Sequence, residues 1–398
     1  MQNAYRWFTV RIPLGRGVHL PENRIRDPYL VKAVIHSSQL LSAFRGLGEA
    51  LPLREIASRS SLPKSMVFRL LYTLERCGMV EKVGENLYQS CIRPFKQKLY
   101  RLGYAAQGTD YQFSRDVSQS LQRAAAAEGI ELISLDNRYS VKIAQRNADL
   151  LVREKVDLVI EFQTDETIAP VVAEKYRQAN IPLIAIDIPH PGALYYGANN
   201  YEAGLIGGRY LGRWAKQHWQ SDIDEIVLLE LPRAGNLPRM RVTGMLVGMK
   251  EVIPKLESCH VTYLNGDGRL DESFTVTRKH LRGTRARRVL IGAINDASAL
   301  GAIRAFQEAG RGATCAVMGQ NASPEGREEL REPGTPLIGS VAFFPERYGA
   351  DLVRVALDVL NHRPVPPAVF VKHQLITRET VNHFYPNDQL MQMAYGGL

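Results

Sequence analysis

The 398-residue chain is poor in cysteine, with four residues at positions 77, 91, 259 and 315. They lie far apart and form no CxxC pair, which argues against a zinc ribbon, a dithiol redox motif or a disulfide framework. No stretch approaches the roughly 18 to 20 apolar residues that a membrane span needs. The opening MQNAYRWFTVRIPLGRG places Arg6, Arg11 and Arg16 in any apolar run and lacks the hydrophobic centre of a secretory signal. A reduced, cytoplasmic protein with no membrane contact is expected. Phosphate-loop patterns (D-x-G-x-T, G-x-x-x-x-G-K-[ST]) and a Cys/His cluster are also missing. Gly204, Gly207 and Gly208 do not form G-x-G-x-x-G at a strand end and are expected to ease helix packing. His190 and His260 have no carboxylate partner by motif. No catalytic residue, cofactor or metal ligand is therefore assigned.

What the chain does have is unevenly placed charge. Its net charge is +9, and residues 1–100 hold 16 Lys/Arg against 7 Asp/Glu, while residues 101–398 are balanced at 34 each. The whole excess lies in the first quarter, the pattern of a module that meets a polyanion joined to one that does not. With 45% hydrophobic and 23% charged residues, the length predicts two or three globular domains.

Residues 1–29 mix Pro, Gly and Arg and form an arm to which no role is assigned. From Tyr29, Leu30, Val34, Leu40, Leu41 and Phe44 recur at roughly helical spacing and predict a first helix ending at Gly46 and Gly48. LPLREIASRSS predicts a short second helix turning Leu53, Ile56 and Ala57 inward. Pro63 suits the first turn of a third helix. There Val67, Leu70, Leu71 and Leu74 fall at i, i+3, i+4 and i+7 and make one apolar stripe, leaving Lys64, Ser65, Phe68, Arg69 and Tyr72 on the opposite face. Gly78 ends this helix, and MVEKVGENLYQ predicts two strands about a turn at Gly84-Glu85-Asn86, with Lys82 on the wing. Helix, helix, turn, helix, hairpin is the order of a winged helix-turn-helix, whose third helix offers its polar face to the major groove.

The run LREIASRSSLPKSMVFRLLYTLERCGMVEK resembles the DNA-binding domain of IclR-type regulators, whose pattern is a short "ELA" helix followed by "GLPKSTVHRLL.TLE..G.V". Leu62, Pro63, Lys64, Ser65, Val67, Arg69, Leu70, Leu71, Leu74, Glu75, Gly78 and Val80 match. The resemblance covers about residues 30–90 and implies contact with a double-stranded DNA operator. Residues 91–99 form a basic linker carrying Arg93, Lys96 and Lys98, broken by Pro94; it either tracks DNA backbone or spans solvent.

From Tyr100 strand-like and helix-like segments alternate, which predicts α/β architecture with doubly wound parallel sheets, two of them over this length. Ligands bind at the carboxyl ends of such strands. Those ends carry Asp110, Tyr111 and Phe113 after the first strand, Asp165 after the third, Asp187 after the fourth, and Asn295 and Asn321 in the second half, with Arg241 opening a helix. Amides and carboxylates bind hydroxyls in forks while aromatic faces cover C–H surfaces, so the set suits a hydroxyl-rich ligand. Each Asp or Asn alone is equally suited to capping the helix that follows it.

LGYAAQGTDYQFSRDV, PLIAIDIP, GANNYEAGLIGGRYL, RMRVTGM, IGAINDASALGAIRAF, CAVMGQNA and GSVAFFPERYGADLV resemble, in order and spacing, the type I periplasmic-binding-protein fold shared by sugar receptors and LacI-type effector domains. The likeness spans about residues 100–385, leaving 386–398 as a tail. It places Tyr111 and Phe113 on an aromatic loop, Asp187 on the acidic position, Arg241 on the R-x-x-G arginine and Asn295 on the N-D amide, with Asn321 where sugar binders carry Asp. Ile188 and Phe343 stand where Arg and an amide are common, which favours a deoxy-sugar, a sugar derivative or a more apolar metabolite. It also implies lobe crossings near 200–206, 320 and 341–345, and a final strand Val369–Ile376 in the second lobe. Together the two resemblances imply a transcription regulator, expected as a homodimer, whose operator binding responds to a carbohydrate-like effector. A DNA-binding sugar kinase and a transport receptor are the alternatives; the absent phosphate loop opposes the first, and the absent signal and basic head oppose the second.

Overall fold

The computed structural model describes residues 31–44, 46, 48–92, 100–163 and 165–388. The N-terminal arm, most of the linker, Thr164 and the end of the tail lie outside the described residues. The chain divides into two compact units, residues 1–98 and 99–398.

In the first unit, α1 (Lys32–Leu41) is followed by β1 (Ala50–Pro52), α2 (Leu53–Ser60), α3 (Lys64–Arg76), β2 (Val80–Gly84) and β3 (Leu87–Ser90). The strands form one antiparallel sheet in the order β1-β3-β2. The three helices and the sheet bury Leu40, Leu41, Phe44, Ile56, Val67, Leu71, Leu74, Val80 and Tyr88 in one core. The stripe read on the third helix is thus what anchors it. Two expectations change. Val34 is 65% exposed rather than inward. Leu51 and Pro52 pair with Tyr88 and Leu87 as a strand and do not begin the second helix, because three extended residues carry no period of their own.

The second unit begins with β4 (Arg101–Ala106), α4 (Gln112–Ala127), β5 (Glu131–Asp136), α5 (Val141–Arg153), β6 (Leu158–Phe162), α6 (Ala169–Gln178), β7 (Leu183–Ile186) and β8 (Leu194–Gly197). It continues with α7 (Asn200–Trp219), β9 (Glu225–Glu230), α8 (Asn236–Val252), β10 (His260–Asn265), α9 (Leu270–Leu281), β11 (Val289–Ala293), α10 (Asp296–Glu308), β12 (Cys315–Asn321), α11 (Pro324–Arg331) and β13 (Leu337–Ala342). The last elements are α12 (Tyr348–Leu360), β14 (Ala368–Phe370), β15 (Gln374–Ile376) and α13 (Val381–Phe384). Two six-stranded sheets result, ordered β14-β8-β7-β6-β4-β5 and β10-β9-β11-β12-β13-β15. Every pair is parallel except β13 with β15. β6, β9 and β11 are buried along their whole length, as strands covered by helices on both faces must be.

Each sheet is the centre of a lobe. The chain leaves lobe one after β8 and returns after β13, where α12 packs on α4. The expected crossing at 320 does not exist, since β12 lies between β11 and β13 in a single sheet. The third crossing is at 371–373. There the segment read as one strand, Val369–Ile376, splits into β14, paired with β8 in lobe one, and β15, paired with β13 in lobe two. β8 itself was not foreseen.

Helices α7 and α8 press backbone to backbone through glycine. A β-carbon on Gly204 would strike the Arg241 carbonyl, one on Gly208 the Met245 carbonyl, and one on Gly244 the Tyr201 carbonyl. Gly204 and Gly208, read as easing helix packing, do so, while Gly207 faces Met318 and Val341 of the sheet. Gly208→Ala should lower unfolding free energy by about 1–3 kcal/mol, the usual cost of overpacking a close contact. Urea denaturation unchanged from wild type would show that the helices separate freely.

Candidate functional site

In the first unit, α3 presents Lys64, Ser65, Phe68, Arg69 and Tyr72 to solvent, opposite its buried Val67 and Leu71. Phe68 is 56% and Tyr72 54% exposed, with the Arg76 guanidinium 4.9 Å above the Tyr72 ring. Lys82, on β2 of the hairpin, is exposed as well. All six expected contact residues are exposed.

In the second unit, the carboxyl ends of both sheets open onto one cleft of about 330 Å³ between the lobes, at the small end of small-molecule sites. Asp110, Tyr111, Phe113, Asp187, Arg241, Asn295 and Asn321 line it. Asp165 and Phe343 do not. The Asp165 carboxylate accepts the Thr167 N–H at 2.9 Å and the Thr167 hydroxyl at 2.5 Å. It satisfies the helical turn after β6, since those unpaired N–H groups are its nearest donors. Phe343 lies behind the cleft wall, 1% exposed, with its ring 4.8 Å beneath the Arg241 guanidinium.

The inner end of the cleft is built on the lobe crossings. Arg241 is only 8% exposed. Its Nε donates to Asn200 Oδ1 at 2.5 Å and its Nη1 to the Ile294 carbonyl at 3.4 Å. Asn200 in turn donates to the Ala198 carbonyl at 3.2 Å, at the first crossing. Phe343, at the second crossing, meets His373, at the third, edge to face with centroids 5.0 Å apart. His373 accepts the Asn199 N–H on Nε2 at 3.0 Å, so its proton sits on Nδ1. Burial, reinforced by Arg241, pushes its pKa down to about 4 and keeps it neutral.

Facing Arg241, Asp187 is buried and accepts one N–H, from Ala198, at 3.3 Å. Burial raises its carboxyl above the usual range; the charge of Arg241 and that hydrogen bond oppose the rise. Asp187 (φ 61°) and Asn321 (φ 95°) both hold left-handed backbone conformations at strand ends, a strain typical of residues positioned for a ligand. The Asn321 Oδ1 is buried with no partner among the described residues. Asn295, by contrast, is largely engaged. Its Oδ1 accepts the Ser298 N–H at 2.9 Å, capping α10, and its Nδ2 donates to the Gly268 carbonyl at 2.8 Å.

Sequence reading missed several lining residues: Tyr139, Arg233, Asp267 and Arg269 from loops, and Phe162 at the end of β6. Tyr139 packs edge-on to Tyr111 at 5.3 Å. Arg233 pairs with Asp267 at 2.9 Å and Arg269 with Asp271 at 3.3 Å, so the rim cations are already matched. The walls are apolar, with Phe113, Phe162, Ile188, Leu231, Ile294 and Leu300. Across the mouth, the Glu166 carboxylate of lobe one lies against Gly235 at the start of α8, where a β-carbon would overlap it.

Gln163, just after β6, also lines the cleft. It is oriented from behind by Glu161, which is fully buried. Oε1 of Glu161 accepts Gln163 Nε2 at 2.6 Å and Asn137 Nδ2 at 3.0 Å, and Oε2 accepts the Tyr176 hydroxyl at 3.1 Å. The Gln163 nitrogen must face this carboxylate, so its oxygen faces away as an acceptor. Burial pushes Glu161 up to about 7, against those three hydrogen bonds. A carboxyl with a raised folded pKa holds its proton more tightly in the native state. Its stabilising contribution is complete below the unfolded value of 4.5 and is lost as pH rises through about 7. Wild-type stability should therefore fall relative to Glu161→Gln between about pH 5 and pH 7, by on the order of 2–3 kcal/mol. Parallel pH profiles in urea titrations would refute this.

Comparison with known proteins places both units. Residues 102–364 match the family described as periplasmic binding protein domain, and residues 33–84 the IclR helix-turn-helix domain. The ribose import binding protein RbsB of Salmonella typhimurium is 24% identical over 271 residues, which is 67% of this chain and 87% of that protein. An ABC transporter solute binding protein from Agrobacterium vitis with bound allitol superposes with a TM-score of 0.64 at 20% identity, covering 73% of this chain and all of that one (100%). One from Bacillus halodurans with bound myo-inositol gives 0.63 at 22%, covering 72% and 98%. At these identities the structures establish the two-lobed fold.

Proposed function

The chain belongs to the periplasmic binding protein domain family and carries an IclR helix-turn-helix domain, and from these two facts we propose that it is a DNA-binding transcription regulator governed by a small effector. The observation that carries the reading is the segregation of charge. The +9 excess is confined to residues 1–100, where a helix offers Lys64, Ser65, Arg69 and Tyr72 to solvent, while the cleft-bearing remainder is neutral. Cationic side chains beside hydrogen-bonding ones on an exposed helix are the means of holding phosphates and reading base edges in the major groove. Lys82 on the wing serves a neighbouring phosphate.

The effector is a compact carbohydrate-like molecule with an apolar side. Asp187, Arg241, Asn321 and the Gln163 oxygen supply acceptors and one cation for adjacent hydroxyls; Tyr111, Phe113 and Ile188 cover C–H surface. The names of the relatives, a ribose import protein and receptors with bound allitol and myo-inositol, support this class. Binding favours the closed arrangement of the lobes by the difference in affinity between closed and open forms, and no more. The protein acts as a homodimer, because two heads reading a two-fold site gain specificity that one lacks. No step is catalytic, and the protein works where the chromosome is, in the cytoplasm.

Two measurements test the reading. A thermal-shift screen of the full chain with D-ribose, D-allose, allitol, myo-inositol and sugar acids should find at least one that raises the melting temperature by several degrees, the effect of roughly 100-fold saturation. Asp187→Ala should abolish that rise and leave DNA binding intact; a retained rise moves the site elsewhere. Arg69→Ala should weaken binding to a selected DNA site by about 1–3 kcal/mol. Undiminished affinity would remove Arg69 from the interface, and failure to select any site from genomic fragments would end the regulator reading.

A further inference from the structure

Phe68 stands on the contact face of α3 and not on its core face. Val67 and Leu71 are fully buried behind the helix, while Phe68 is 56% exposed, in line with Lys64 one turn before it and Tyr72 one turn after it. One turn is about 5.4 Å of helix, so the ring lies at the middle of a polar and cationic strip, within reach of whatever Lys64 and Tyr72 touch. Tyr72 carries a hydroxyl and lies beneath the Arg76 guanidinium. Phe68 carries no polar atom at all. The phenyl ring cannot bind phosphate or form a hydrogen bond to a base edge, and pressed against a donor or acceptor it would strip that group of water without replacement. In the major groove one apolar feature is available, the C5-methyl group of thymine. The match of residues 33–84 to the IclR helix-turn-helix domain makes this exposed face of the third helix the one offered to DNA.

We propose that Phe68 is a specificity-determining residue that packs on a thymine methyl group in the major groove, and so selects thymine at one position of each half-site. The inference rests on the DNA-binding reading and adds to it which base the central side chain takes. It also divides the labour on the helix. Lys64 supplies affinity that is indifferent to sequence, Arg69 and Tyr72 supply hydrogen bonds, and Phe68 supplies discrimination by shape and apolarity.

The test deletes the methyl group and not the protein. The full-length chain selects its site from a library of random duplexes, and each thymine of the consensus is then replaced singly by deoxyuridine, which keeps every hydrogen-bonding group and loses only the methyl. At one thymine per half-site, wild-type affinity should drop about fourfold, the worth of one buried methyl group. Phe68→Ala should bind the thymine and uracil sites equally, Phe68→Leu should retain part of the difference, and Lys64→Ala should weaken both alike. Circular dichroism melts of each variant confirm the fold, which an exposed position should leave unchanged. A selected site that is indifferent to every uracil substitution, or a Phe68→Ala variant that keeps the full discrimination, overturns the inference and leaves the regulator reading standing. If no site is selected, both fall.

Discussion

The second unit is organised around a guanidinium buried where its lobes join. Arg241 is desolvated, and a buried charge is tolerated only when its donors are satisfied and an opposite charge is near. Asn200 and the Ile294 carbonyl meet two of its donor groups, the Phe343 face lies beneath it, and Asp187 stands opposite across the cleft. Residues from all three crossings are drawn into this one neighbourhood, through Asn200, Phe343 and His373. Among the described residues Asp187 accepts one backbone hydrogen bond, and its burial opposes ionisation, so its carboxyl retains capacity to accept a further donor from the cleft.

The first unit follows a simpler rule. The apolar stripe of α3 fixes which of its faces can be wet, and the wet face carries the groups that suit DNA. The close α7–α8 packing in the second unit serves an equivalent purpose at the cleft. Glycine at Gly204, Gly208 and Gly244 brings α8 near enough to α7 for Arg241 to reach Asn200. In both units polar side chains are held in place by apolar or backbone packing behind them.

Much of the cleft's lining was legible beforehand. Asp187 and Asn321 stand at the ends of strongly apolar strands and Tyr111 and Phe113 at the start of α4, where a doubly wound sheet faces the cleft, whereas Arg241, expected to open a helix, lies in the second turn of α8. Asp165 occupies a strand end as well, yet its carboxylate turns to the two Thr167 donors, and Gln163, two residues earlier, takes the cleft. Asn295 reaches the cleft and caps α10 at once. A polar side chain next to a helix start has two destinations of similar energy, and local sequence does not rank them. Arg233, Asp267 and Arg269 sit in loops without periodicity and gave no signal.

By itself, the amino-acid sequence determined which faces are apolar, where strands alternate with helices and where the positive charge lies, because burial leaves a period and charge is additive along a chain. That was enough for a winged helix followed by two parallel sheets. Only the tertiary structure decided how the ends of those sheets meet. β14 and β15 are separated by three residues and belong to different lobes, and the crossing between them brings His373 against Phe343 beside Arg241. The reason is physical: a short extended segment pairs with whichever sheet edge is within reach, and the folded chain puts the Tyr195–Gly197 edge beside β14 and the Ser340–Ala342 edge beside β15.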